Sequence, residues 1–147
     1  MQQGTVSELD LAKEVKLGVA RHTALEQPVD DSYKGEAVEA AHYLACARQA
    51  QREGYPEIGL VLERLGLEEL EHAIRFAELN ARVDDSTLAN LARLLKEEQA
   101  SCRHKAQLAQ HAGDERLEEV RAFYAESSRD EARHARALDG LLRRYFQ

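Results

Sequence analysis

A chain of 147 residues has the length of one domain and can bury a hydrophobic core. Its net charge of −7 argues against nucleic acid or an anionic membrane as a partner, and no run of about 20 apolar residues is present to cross a membrane. Charged residues make up 32% and aromatic residues only 5%. With abundant Ala, Leu, Glu and Arg, this composition predicts an all-α protein.

The first half of the chain is predicted to hold an N-terminal arm and two helices. The arm covers residues 1–31 and is expected to end in a break at residues 28–31, which begins with Pro28, and Ser32 is a suitable N-cap for the helix that follows it. Gly54 is expected to end that helix, and Pro56 to occupy the first turn of the next. These two helices are predicted over about 32–52 and 56–82.

The second half is predicted to hold two more helices, over about 86–111 and 115–145. Asp84–Ser86 supplies caps for the third helix, and a tight turn is expected at Ala112–Asp114. Residues 32–147 are therefore predicted to form one four-helix bundle.

The most informative pattern is a repeated Glu-x-x-His motif with a glutamate at a fixed distance before it. The motifs that start at Glu69 and Glu131 lie 62 residues apart (131 − 69 = 62). A glutamate precedes each by 33 residues, Glu36 in the first case (69 − 36 = 33) and Glu98 in the second (131 − 98 = 33). The two matched sets are Glu36, Glu69, His72 and Glu98, Glu131, His134.

A single Glu-x-x-His motif is weak evidence, because about one is expected by chance in a chain of this composition. A third motif, Glu39 to His42, is indeed present, and the position 33 residues before Glu39 is Val6 (39 − 33 = 6). The specific signal is the pair of motifs with equal spacing to an upstream glutamate.

Helical periodicity places all six residues on apolar helix faces at one level of the bundle. An unpaired charge buried there costs several kcal/mol, so four buried carboxylates need compensation. Two divalent metal ions provide it, and carboxylates with imidazoles from four helices form such centres in helix bundles. The sequence therefore predicts a two-metal centre with these six ligands.

The sequence also resembles the rubrerythrin branch of the ferritin-like superfamily, over about residues 32–146. The matching segments are Lys34–Glu36, Arg52–Ile58, Glu69–Ala73 and Asp130–His134. The resemblance implies a ferritin-like four-helix bundle and a di-iron peroxidase that reduces hydrogen peroxide to water. It further implies two iron ions per site, with manganese or a mixed pair as alternatives, and a homodimer whose subunits in some members exchange helix pairs.

The resemblance carries over to individual residues. Glu69 and Glu131 are expected to bridge the metals, and Tyr43 and Tyr124 to donate to the carboxylates and help deliver protons. Typical members have a further glutamate three residues after the third-helix ligand, and here that position is Ser101. Glu39, three residues after Glu36, is the candidate seventh ligand, and a solvent-facing glutamate is the alternative.

Other residues leave alternatives open. Cys102 could approach the site or serve as a small buried residue. Lys105, seven residues after Glu98, could pair with a ligand carboxylate or extend to solvent. The sequence suggests no metal role for Cys46 or for the other histidines, His22, His42, His104 and His111.

Several functions compete with peroxide reduction. A ferroxidase or oxygen-reducing di-iron protein, a manganese catalase-like enzyme, a ferritin-like iron-binding protein and a metal-free helix bundle all fit parts of the pattern. No CxxC pair follows His134, so we expect a separate rubredoxin-like protein to donate electrons. Two free thiols and a start without signal-peptide features predict a cytoplasmic protein.

Overall fold

The structure is a computed structural model that describes residues 15–147. These residues are all-α and contain no strand. Their helices are α1 (Glu26–Arg52), α2 (Pro56–Leu79), α3 (Thr87–Asp114) and α4 (Glu118–Phe146). The chain divides after Val83 into two compact units, of which the first contains the α1–α2 hairpin and the second the α3–α4 hairpin.

Small residues let α1 and α2 approach closely in the first unit. Gly66 is buried against α1, and a Cβ built on it would lie 3.1 Å from the Tyr43 Cβ and 3.2 Å from the Ala40 carbonyl oxygen. The other buried residues of this hairpin are also small: Ala40, Ala47 and Ala50 on α1, Gly59 and Ala73 on α2. Large side chains at these positions would separate the helices, so the small residues set the spacing of the hairpin.

The predicted start of the first helix at Ser32 is wrong, because α1 begins six positions earlier, at Glu26. Pro28 does not break it, since the N–H groups of a helix's first turn have no partner within the helix. Residues 15–25 contain no helix; Gly18 N donates to Glu78 O at 2.8 Å, and Asn80 Nδ2 donates to Glu26 O at 2.9 Å. The remaining part of the predicted arm, residues 1–14, lies outside the described residues.

The connection between α1 and α2 agrees with the prediction. Gly54 has a φ of 86°, a conformation that costs glycine little, and Pro56 is the first residue of α2. At its other end α2 stops at Leu79 rather than near Arg82, because Ala81 turns left-handed with a φ of 49°. Arg82 N then donates to Ala77 O at 2.9 Å and closes the helix end.

In the second unit, Ser86 caps α3 as predicted. Its side chain accepts a hydrogen bond from Ala89 N at 3.2 Å. Ser128 on α4 is buried against α3, and its hydroxyl donates to the Cys102 carbonyl oxygen at 2.9 Å. The other buried residues of this hairpin are Ala109, Ala112 and Ala135.

The predicted tight turn at Ala112–Asp114 is wrong. Helix α3 continues through these residues to Asp114, and α4 starts at Glu118 rather than near residue 115. The left-handed residue of this connection is Arg116, with a φ of 59°, and Gly113 remains helical. Glycine marks a turn only where the chain needs its conformational freedom, and here arginine takes that conformation instead.

The two units repeat most of their burial pattern at the offset of the motifs, 62 residues. The buried pairs at this offset are Ala47 with Ala109, Ala50 with Ala112, Gly66 with Ser128 and Ala73 with Ala135. The repeat seen in the six Glu and His residues therefore extends to how each hairpin packs. Among the described residues, no helix has the length and apolar character needed to span a membrane.

Candidate metal centre

The first predicted ligand set converges within the first unit. Glu36 extends from α1, and Glu69 and His72 lie one helical turn apart on α2. His72 Nδ1 lies 2.9 Å from Glu69 Oε2 and 3.6 Å from Glu36 Oε2. One potential ligand atom from each side chain lies within 4.8 Å of the others, so the three could hold one metal ion. We call this group cluster 1.

The second predicted set converges in the same way within the second unit. Glu98 extends from α3, and Glu131 and His134 come from α4. Ligand atoms of these three side chains also lie within 4.8 Å of one another. His134 Nδ1 lies 3.3 Å from Glu98 Oε2. We call this group cluster 2; its metal-binding role, like that of cluster 1, stays a prediction.

The carboxyl groups of each cluster interact strongly. In cluster 1, the hydrogen bond with Glu69, together with burial, raises the pKa of Glu36, while that bond and His72 lower the pKa of Glu69. The hydrogen bond with Glu69 also raises the pKa of His72. Two adjacent carboxylates repel each other, so one of them retains a proton more readily. A bound metal cation would take the place of that proton.

Each cluster is partly exposed within its own hairpin. The four glutamate side chains are 15–26% exposed, and the histidine side chains are 59% exposed at His72 and 50% exposed at His134. Within each unit, a helix is covered by only one neighbouring helix. Within its own hairpin, each carboxylate is therefore half-buried, and the expectation that all six residues point into a bundle core stays a prediction.

A lysine is paired with a glutamate of cluster 2, and no equivalent lysine is paired with a glutamate of cluster 1 among the described residues. Lys105 Nζ is paired with Glu131 Oε1 and donates to Ser127 Oγ at 2.8 Å. The neighbouring carboxyl of Glu98 and then Lys105 lower the pKa of Glu131, whereas Glu131 raises the pKa of Glu98. Lys105 therefore pairs with a predicted ligand carboxylate, which was one of its two expected roles, and does not extend into solvent. Sequence reasoning missed Ser127, although it lies four residues before Glu131 on the same helix face.

The other predicted site residues, among those that the structure describes, belong to neither convergent group. Tyr43 and Glu39 line a cleft of about 290 Å³ in the first unit, and the other residues of that cleft are His42, Cys46 and Leu62. Tyr124 is half-buried on α4. Within residues 15–147, neither tyrosine hydroxyl is hydrogen-bonded to a predicted ligand, so their roles and that of Glu39 stay predictions.

Cys102 and Cys46 are free thiols with different surroundings. Cys102 is partly buried at the α3–α4 contact, where its Sγ lies 3.6 Å from Ser128 Oγ. Cys46 is exposed on α1. Cys102 therefore packs between two helices.

The donor atoms fit a divalent transition metal. Each cluster offers two carboxylates and one imidazole, a set that suits iron and manganese. The crowded carboxyl pairs supply the physical reason for a cation, because without one they must share a proton or repel each other. Glu36, Glu69 and His72 would hold one ion, and Glu98, Glu131 and His134 a second.

Comparison with known proteins relates this chain to the rubrerythrin family. The Rubrerythrin family model matches residues 29–94. An uncharacterized protein of Methanocaldococcus jannaschii is 45% identical over 140 residues, which is 95% of this chain and 99% of the relative. Reverse rubrerythrin-1 of Clostridium acetobutylicum is 40% identical over 139 residues, which is 92% of this chain and 77% of the relative.

An all-α chain with two matched Glu/Glu/His clusters is a ferritin-like helical protein of the metal-binding class. Within that class, the chain belongs to the rubrerythrin family. Family membership implies that it binds iron.

Proposed function

We propose that this protein is a di-iron peroxidase that reduces hydrogen peroxide to water with electrons from an external donor. The observation that carries the proposal is the convergence of two carboxylates and one imidazole in each of two matched clusters. The 40% identity to reverse rubrerythrin-1 supports the coarser part of the proposal, a di-iron protein of the rubrerythrin family. The proposed centre takes one iron ion from each cluster, and manganese or a mixed pair is the alternative.

The reaction consumes one hydrogen peroxide, two electrons and two protons, and yields two water molecules. The bound iron pair would supply the two electrons that break the O–O bond and be reduced again by the donor. The residues of this chain balance the positive charge with four carboxylates and hold the ions in place with two imidazoles. In this proposal Glu69 and Glu131 would each supply one of the four carboxylates that hold the ions.

The two protons need donors close to the reacting oxygen atoms. Tyr43 and Tyr124 are proposed for this role, since each lies two helical turns from a predicted ligand, Glu36 or Glu131. Glu39 is proposed as a seventh ligand that takes the role of the glutamate replaced by Ser101. Tyr43→Phe and Tyr124→Phe should slow peroxide-driven oxidation while bound iron stays unchanged, whereas Glu39→Gln should also change the iron's absorption spectrum.

Electrons are proposed to come from a separate rubredoxin-like protein; within the given 147 residues, Cys46 and Cys102 form no CxxC pair. We also propose a cytoplasmic homodimer, whose subunits either keep or exchange their helix pairs. Its support is the exposure of large apolar side chains in both units, since Ile58 is 53% and Phe123 68% exposed. Light scattering tests the dimer and separates it from a storage shell of many subunits.

The decisive experiment is metal analysis and stopped-flow oxidation of the anaerobically reduced protein. We expect two irons per chain, oxidised much faster by hydrogen peroxide than by dioxygen. Glu36→Gln and Glu98→Gln should each lose iron, while the control Glu63→Gln, an exposed carboxylate on α2, should retain it. Absence of bound metal after reconstitution would refute the proposal.

The competing functions give different results in the same experiment. Faster oxidation by dioxygen than by peroxide would indicate a ferroxidase or an oxygen-reducing protein. Oxygen evolution from peroxide without any electron donor would indicate catalase-like disproportionation. Iron uptake into a large shell, without turnover of peroxide, would indicate storage.

A further inference from the structure

The two clusters differ in two charged neighbours. Lys105 lies beside cluster 2, and Glu39, whose charge acts on Glu36 in cluster 1, corresponds to the uncharged Ser101 (101 − 62 = 39). Lys105 contacts Glu131 and Ser127 in cluster 2, and its own position corresponds to Tyr43 in the first unit (105 − 62 = 43). Among residues 15–147, the ion pairs of Glu36 and Glu69 are with His72, and no lysine or arginine is paired with either. Cluster 1 is therefore a carboxylate pair with an imidazole, whereas cluster 2 already includes an ammonium group.

An ammonium group paired with a ligand carboxylate opposes the arrival of a divalent cation. It neutralises part of the charge that attracts the metal, and it occupies one of the carboxylate oxygens that the metal needs. Two cations a few ångströms apart repel each other by roughly 1–2 kcal/mol even in water, and by more where water is partly excluded. The Lys105 side chain is 28% exposed, so its ammonium group can move into solvent at modest cost.

We propose that Lys105, as the counter-ion of Glu131, makes the metal affinities of the two sites unequal. Cluster 1 binds its divalent ion first and more tightly, and cluster 2 fills only after Lys105 leaves Glu131. This inference rests on the proposed metal-binding function and adds an order of loading to it. Lys105 acts through Glu131 and is thus a positioning residue for the metal.

The test is an anaerobic calorimetric titration of the metal-free, full-length chain with Fe²⁺, repeated with Co²⁺, at low ionic strength. The wild-type protein should show two binding steps of different affinity. Lys105→Gln should tighten the second step by about tenfold and leave the first unchanged, because one repelling charge is removed. Glu36→Gln should remove the tight step, and Glu98→Gln the weak one.

Two controls separate charge from packing. Lys105→Arg keeps a cation beside Glu131 and should keep the second step weak, while Lys96→Gln removes an exposed lysine of the same helix and should change neither step. Raising the salt concentration should shrink the difference between Lys105→Gln and the wild type, because salt screens charges. A purely structural effect of Lys105 would not depend on salt in this way.

The outcomes also separate this inference from the proposed function. Two equal steps in the wild type, or an unchanged or weakened second step in Lys105→Gln, would overturn the inference while leaving metal binding intact. Absence of any binding step in the folded wild-type chain would instead refute the proposed function. Circular dichroism of each variant confirms that the helices are retained.

Discussion

Arg116 adopts the left-handed backbone conformation that Gly54 adopts 62 positions earlier (116 − 54 = 62), with φ values of 59° and 86°. The two connections also share their hydrogen bonds. Gly54 N donates to Gln51 O at 3.1 Å, and Arg116 N donates to Gly113 O at 3.0 Å. The same turn is thus built once with glycine and once with a residue that has a Cβ atom.

Replacement of Arg116 by glycine should stabilise the second hairpin. A left-handed residue with a Cβ costs about 1–2 kcal/mol, and the added chain entropy of glycine in the unfolded state offsets part of the gain. We expect the free energy of unfolding to rise by about 0.5–1 kcal/mol, measured by urea denaturation of the metal-free chain. Gly54→Ala is the matched control and should destabilise; a less stable Arg116→Gly variant would contradict the prediction.

Acid should lower the stability of the first unit, because it protonates the Asp30 carboxylate. The Asp30 carboxylate accepts hydrogen bonds from Lys34 and then Arg82, which hold the pKa of Asp30 below its ordinary value. A carboxyl group with a lowered folded-state pKa stabilises the fold above its unfolded pKa of about 3.9 and loses that contribution as the pH falls through the folded value. Asp30→Asn should therefore be less stable than the wild type at pH 7.

The difference between Asp30→Asn and the wild type should shrink as the pH falls from about 5 towards 2. Urea denaturation at several pH values measures it. Asp31→Asn serves as a control at the next position, because the exposed Asp31 carboxylate accepts its hydrogen bond from Gln27. A constant difference across this pH range would show that Asp30 acts through packing rather than charge.

Glu36→Gln should have opposite effects with and without metal. In the metal-free chain, Glu69 beside Glu36 raises the pKa of Glu36, so the ionised pair destabilises the fold as the pH rises above the ordinary carboxyl range. The neutral glutamine removes this repulsion, and we expect a higher melting temperature at pH 7. With iron present, the variant should instead lose metal and the stability that metal binding adds.

The test compares the melting temperatures of Glu36→Gln and the wild type with and without Fe²⁺ under anaerobic conditions. The variant should melt higher than the wild type without iron and lower with it. Glu63→Gln should show the same iron-dependent rise in melting temperature as the wild type. If Glu36→Gln gained as much stability from iron as the wild type, Glu36 would not be a ligand.

A large side chain at Gly66 should disrupt the α1–α2 contact. A Cβ there meets Tyr43 and the Ala40 carbonyl oxygen at 3.1–3.2 Å, and backbone atoms cannot move aside easily. Gly66→Leu should destabilise the chain by about 1–3 kcal/mol, the usual cost of overpacking. Gly140→Leu introduces the same side chain where nothing lies within 4 Å, and it should be neutral or stabilising by up to about 1 kcal/mol. Chemical denaturation of both variants tests the contrast.

Much of the candidate site could be predicted because helices have a fixed period. Glu69 and His72 lie three residues apart, so any helix brings them to one face, and the equal 33-residue spacing to Glu36 and Glu98 places those glutamates opposite them across a hairpin. The positions of Tyr43, Glu39 and Tyr124 relative to the convergent atoms could not be obtained in this way. Their side chains are long, and the rotamers depend on neighbours from another helix.

Helix ends were less predictable than helix faces. The start at Glu26 was hidden by Pro28, which is harmless in the first turn, and the turn at Arg116 was hidden by a nearby glycine that the fold uses as an ordinary helical residue. Local residue preferences compete with the packing of the whole hairpin. Near helix ends the two contributions to the free energy differ by only about 1 kcal/mol, so local preferences alone do not fix where a helix ends.

The sequence by itself determined that the chain is helical, that it repeats at 62 residues, and which six side chains could hold metal, because these follow from composition and helical geometry. Only the tertiary structure decided that Lys105 pairs with Glu131 instead of extending into solvent, and that the histidines stay half-exposed. Both depend on how closely two helices approach, and this distance is set by small buried residues such as Gly66 and Ser128, which contact the opposite helix.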